Sequence, residues 1–95
     1  MDNKYIKAGH TWNDPWEDKD ITCEYQFRKP GRSEISRFNK EVSKSATNAQ
    51  NNLLIGLVHD DDLQRLKEDL EKYPALLMSL SAWMLKSCGF SDLGN

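Results

Sequence analysis

The segment Ile21–Val42, ITCEYQFRKPGRSEISRFNKEV, constrains the fold more than any other stretch of this chain. Ile21, Cys23, Tyr25 and Phe27 alternate with Thr22, Glu24, Gln26 and Arg28. That period of two describes a half-buried strand with one apolar face. Pro30 cannot donate to a ladder and disfavours helix at Lys29, so the strand ends there. Gly31 or Ser33 then caps a helix. With Gly31 as the cap, Glu34 falls at the third helical position, where a carboxylate suits the helix dipole. Ile35, Phe38 and Val42 follow at i, i+3 and i+7 and form one helical face. A lone strand is not stable in water. The nearest partner is Lys4–Ala8, which would close a hairpin with a long loop; the alternative is pairing with another chain.

Downstream the apolar spacing stays helical. Ser43–Asn52 is polar, and Asn and Ser are mediocre helix-interior residues, so a break or weak kink is expected there. The run NLLIGLV fits either a helix or a strand, with length and phase favouring helix. Asp60 suits an N-cap, and Asp61 and Asp62 suit the positive end of the next helix dipole. Leu63, Leu66, Leu70 and Tyr73 form its apolar face. Pro74 fits the first turn of a last helix, which Gly89 stops, with Phe90 closing that end. The expected fold is mainly α with a small N-terminal β element, an α+β class. The strand lies near 21–28 and helices near 32–45, 48–58, 61–73 and 75–88, the last two forming an αα-hairpin. Residues 1–20 read as an irregular arm with a short-strand candidate, 21–90 as one domain, and 91–95 as a polar tail. The expected core is Tyr25, Phe27, Ile35, Phe38, Val42, Leu63, Leu66, Leu70, Leu77, Leu80 and Met84, each set recurring at its element's own period.

Composition then excludes functions. A chain of 95 residues with 38% hydrophobic content builds one modest core with little room for a deep pocket. Net charge is -2, so the chain as a whole makes no electrostatic case for nucleic acid or an anionic membrane. No run approaches the roughly 20 apolar residues that cross a bilayer. The opening MDNKYIKAGHTWNDPW lacks the apolar core of a signal peptide, so a soluble, cytoplasmic protein is expected. Cys23 and Cys88 are too few for a disulfide framework or a zinc site, although two thiols leave a single bridge open. Both read as small buried hydrophobes.

The sequence carries no P-loop, no G-x-G-x-x-G, no H-E-x-x-H and no nucleophile elbow. His59-Asp60-Asp61-Asp62 is the only ligand-like cluster, and consecutive side chains cannot all face one ion; helix capping explains its acids. The expectation is no catalytic residue, no cofactor and no metal. Two surfaces remain as candidates for binding. Trp12 and Trp16 flank the Asn13-Asp14-Pro15 turn, and either cover a core edge or present an aromatic contact. The last helix places Leu76, Leu77, Leu80, Trp83 and Met84 over more than one face, so Trp12, Trp16, Leu76, Leu80, Trp83 and Met84 form the candidate partner surface. The alternative is a phosphate-contacting face made by Arg37, Lys40 and Lys44 on the first helix. Acidic segments at 14–20 and 60–71 favour a solvated or ion-paired reading of that face.

The segments YQFRKPGRSEISRF and LLIGLVHDDDLQRLKEDLEKYPALLMSLSAWMLKSCGF resemble the tail assembly chaperones of phage and prophage tail gene modules. The resemblance spans residues 21–90. It rests on Phe27-Arg28-Lys29-Pro30 leading into a helix, Leu57-Val58-His59-Asp60 opening a leucine-spaced helix, and the Tyr73-Pro74 and Gly89-Phe90 boundaries. Asp60 stands where the pattern has Pro. The resemblance implies a non-enzymatic protein in a bacterial host's cytoplasm that binds an aggregation-prone partner, such as a tape-measure-like tail protein, and self-associates. Because the strand at 21–28 lacks a strong partner, its free edge is expected to accept another strand.

Overall fold

A computed structural model describes residues 4–89. It shows a two-stranded antiparallel sheet followed by four helices, the α+β class expected. Strand β1 covers Tyr5–Asp14 and β2 covers Lys19–Arg28. They pair in one unbroken register from Tyr5↔Arg28 to Asp14↔Lys19. The irregular arm expected over 1–20 is therefore mostly strand, and the loop is short. The Asp14 carboxylate makes that loop tight by accepting the Trp16 and Glu17 amides at 2.9 and 3.2 Å. Asp18 closes it at φ 54°, a left-handed conformation that Asp tolerates. The sequence shows the turn residues, but Gly9 and Lys7 hide the strand signal of β1, whose side chains are mostly exposed.

Helix α1 spans Arg32–Val42 and α2 spans Ala46–Leu57. Gly31 caps α1, and the Glu34 carboxylate reaches back to its amide at 2.6 Å. The break expected in the polar stretch is real. Ser43 and Lys44 form a turn, and Ser45 caps α2 by accepting the Asn48 amide at 3.2 Å. Helix α3 spans Asp60–Lys72 and α4 spans Leu76–Ser87. The α3 cap is His59, whose Nδ1 accepts the Asp61 amide at 3.0 Å, and not Asp60, which sits in the first turn. The expected polar tail and the Phe90 contact lie outside the described residues.

The core forms where the apolar face of β2 meets α2, α3 and α4. Ile21, Cys23, Tyr25 and Phe27 pack with Ala8, Leu53, Leu54, Leu57, Val58, Leu66, Leu76, Leu80 and Met84. Tyr25, Phe27, Leu66, Leu80 and Met84 are buried as expected. Val42 is a correction: it is 39% exposed. Helix α1 packs against α2 alone among the described elements and holds no buried residue, so its apolar face is only half covered. Ile35 and Phe38 are half-buried there, as are Leu63, Leu70 and Leu77 on the later helices. The α2 leucines, absent from the expected core, take the central place. Cys23 is buried, Cys88 is half-buried, and both are free thiols.

Strand β2 has no open edge at its C-terminal half. The Gln26 carbonyl accepts the His59 amide at 2.8 Å, and the Gln26 amide donates to Asp62 Oδ2 at 2.7 Å. Arg65 donates to the Glu24 carbonyl and to Asp62 Oδ1, both at 2.7 Å. The start of α3 thus docks along β2 as a third strand would. This corrects the expectation of a free edge for the C-terminal half of β2; among the described residues the long unpaired edge belongs to β1.

Candidate partner-binding groove

The tip of the hairpin and the α3–α4 turn enclose a groove of about 470 Å³. Its walls follow from local sequence. The Asp14 carboxylate holds the turn that carries Pro15 and Trp16. Tyr73 ends α3 with its amide on the Asp69 carbonyl, and Pro74 sets the bend before α4. Trp12, on the core side of β1, lies edge-on to Tyr73 with ring centroids 5.2 Å apart. His10 stacks on Trp12 at 5.4 Å, and Lys72 Nζ sits 5.3 Å from the Tyr73 ring centroid. Leu76 forms the floor. Trp16 stands over the opening and is 91% exposed.

The two tryptophans therefore answer the sequence question differently. Trp12 is half-buried against Tyr73 and covers the core edge, while Trp16 presents its ring to solvent. The α4 part of the candidate surface needs correction. Leu76, Leu80 and Met84 are buried at 2% or less, so Leu80 and Met84 belong to the core and Leu76 reaches the groove only as its floor. Trp83 is half-buried and lines a separate cleft of about 250 Å³ with Ile6, Phe27 and Pro30. The exposed large apolar residue of α4 is Met78. In sequence Tyr73 and Pro74 mark the boundary between two helices, and only their placement opposite the hairpin tip makes them a wall.

The alternative basic face is shallow. Arg32, Ser33, Ser36, Arg37 and Lys40 line it, whereas Lys44 lies beyond, in the turn after α1. Arg37 is drawn to Glu41 at 4.0 Å, an exposed pair. Arg28 is held by Glu34 at 2.8 Å, and the Arg28 guanidinium beside it, with the Gly31 amide, keeps the Glu34 carboxyl below its ordinary range.

Other titratable groups serve the fold. Burial pushes the Asp62 carboxyl up, but the Gln26 amide and Arg65 outweigh it and hold it below the usual carboxylate range. Burial, and then a 2.5 Å hydrogen bond to Asp69, push the Tyr25 hydroxyl far above its ordinary value. Burial likewise raises both thiols, which disfavours the reactive thiolate. Among the described residues no group of three metal-ligating side chains could hold an ion, and no helix is long and apolar enough to cross a membrane.

Residues 9–95 match the family described as Domain of unknown function (DUF6848). The chain belongs to this family. A solved structure, the uncharacterised protein RBSTP2171 from Bacillus stearothermophilus, is similar with a TM-score of 0.73. It is 22% identical, and the match covers 92% of this chain and 84% of that one. At that identity the likeness shows a shared fold alone. None of the curated proteins matches the chain.

Proposed function

We infer that this DUF6848 chain is a non-enzymatic binding protein that holds an apolar segment of a protein partner in the groove between hairpin tip and α3–α4 turn. The observation that carries this is Trp16. A large aromatic that is 91% exposed beside a concave, aromatic-walled surface gains most by being covered. Tryptophans in such settings dominate binding energies. His10 and Lys72 at the rim supply polar contacts that fix orientation without setting a reaction in motion. The resemblance to tail assembly chaperones supports the same class of activity: such a protein would shield an aggregation-prone structural partner, tape-measure-like, until assembly. A solvent-facing Trp and a rigid Tyr-Pro wall suit varied apolar sequences better than one fixed ligand.

Titration calorimetry with a Leu-rich amphipathic helical peptide tests the groove. Wild type should bind, and Trp16→Ala should weaken binding by about 30-fold, the equivalent of a ~2 kcal/mol hot spot. Equal binding by wild type and Trp16→Ala, or none by either, would contradict it. The basic face of α1 supplies the second reading, a small nucleic-acid-binding regulator, because Arg32, Arg37 and Lys40 share one side of α1 with no acid among the lining residues. Retention of the chain on duplex DNA that falls steeply with salt and is lost in Arg37→Ala/Lys40→Ala would favour it.

A further inference from the structure

We propose that two copies of this chain pair antiparallel through the outer edge of β1, about a two-fold axis at Gly9, to form a continuous four-stranded sheet. The argument begins at Gln26. Both of its backbone groups turn away from β1, toward His59 and Asp62. Its cross-strand neighbour is Lys7, and in an antiparallel ladder such a pair turns all its groups outward on both strands. Alternation then sends the N–H and C=O groups of Tyr5, Lys7, Gly9, Thr11 and Asn13 to the outside of β1. Among the described residues none of these groups has a backbone partner, and β1 has β2 as its single neighbour. A long strand with an open row of donors and acceptors is a template for another strand.

The identity of that strand follows from the side chains. Odd residues of β1 can bond only to odd residues of a second copy, which leaves few registers. In the one centred on Gly9, Lys7 faces Thr11 of the second copy and Tyr5 faces its Asn13. On the core side Ile6 then meets Trp12 of the second copy, and Lys4 meets its Asp14. Ile6 is 45% exposed, one of few large apolar side chains left open, and this register covers it with an aromatic. Asp14 uses Oδ1 for the Trp16 and Glu17 amides, so Oδ2 is free for the lysine. Sliding two residues either way sets Ile6 against Asp14, or Lys4 against Trp12, and loses both matches. Gly9 on the axis leaves no side chain to meet its own copy across the two-fold. An added Cβ at this position would meet Glu24 Cγ at 2.9 Å, so the Glu24 side chain would have to shift.

Sedimentation velocity across a micromolar concentration series tests the proposal on the full chain. Wild type should sediment as a dimer. Lys7→Pro should sediment as a monomer with an unchanged far-UV spectrum, because the Lys7 amide points outward and its loss leaves the β1–β2 ladder intact. Asp14→Asn, which keeps the turn acceptor but not the charge, should weaken the dimer several-fold at low salt. Lys7→Cys/Thr11→Cys in a Cys88→Ser background should give a covalent dimer on mild oxidation, and neither single cysteine should. A wild-type monomer at every concentration, a Lys7→Pro dimer, or single-cysteine cross-links equal to the double's would overturn the pairing. If Lys7→Pro loses its fold, the cross-linking pattern decides. Trp16→Ala should leave the mass unchanged, so failure of the edge and failure of the groove are read separately.

Discussion

Asp62 accepts the backbone amide of Gln26 at 2.7 Å, and this contact joins the start of α3 to the outer edge of β2. The carboxylate is buried and held also by Arg65 at 2.7 Å. Asp62→Ala should therefore cost about 1–3 kcal/mol, because it leaves a shielded amide without an acceptor. Urea unfolding measures this directly; an unchanged midpoint would mean that water replaces the carboxylate freely.

The same group sets a pH dependence. Its folded pKa lies below the ordinary value, so its contribution to stability is present above about pH 4, the unfolded Asp range. The contribution is lost as pH falls through the folded value. Glu34 is shifted in the same direction and adds to the effect. Thermal melts between pH 6 and pH 2, on an about one-unit grid, should show this loss, and Asp62→Asn should flatten the acid limb.

The core is centred on β2, α2, α3 and α4, which sets an order of costs. Leu66→Ala should destabilise by about 2–5 kcal/mol, as expected for a fully buried leucine. Phe38→Ala should cost less, because α2 alone packs against the face of α1 that carries it and leaves it half-buried. Val42→Ala should shift the midpoint by about 0.5 kcal/mol or less. Denaturation midpoints that rank Phe38 above Leu66 would contradict this layout.

Chelation should leave the melting temperature unchanged. The acids at 60–62 are occupied by helix-start and strand-edge duties: Asp60 and Asp61 lie in the first turn, and Asp62 is bonded to Gln26 and Arg65. A rise of several degrees on adding Ca²⁺ or Zn²⁺ would mean that a site forms there.

Much of this architecture is legible in the residues. The alternation Ile21–Phe27, the Pro30-Gly31 stop and the Tyr73-Pro74 bend each carry a local physical signal, and each stands where it is read. What is not legible depends on tertiary placement. The β1 pattern is diluted because one of its faces looks outward and its other is covered only at Ala8 and Trp12. Val42 keeps perfect helical phase with Ile35 and Phe38, yet periodicity states which face points inward, not whether anything lies opposite it. His59 caps α3 through its imidazole although Asp60 has the better intrinsic preference, because Asp62 must reach Gln26 and that fixes where the helix begins. The groove is legible only in half. The turn with its tryptophans is visible in sequence, whereas the Tyr73-Pro74 wall lies about sixty residues further along the chain and is brought there by the packing of α4 against β1.

The central claim is that Trp16 is the contact through which a partner is held, and fluorescence from that one residue tests it most directly. In Trp12→Phe/Trp83→Phe, a chain whose sole indole is Trp16, emission should start at the red edge typical of a solvated ring. Titration with the Leu-rich amphipathic peptide should shift it to the blue, with a midpoint matching the calorimetric affinity. Emission that stays red at saturating peptide, while calorimetry shows binding, would place the partner elsewhere and contradict the account.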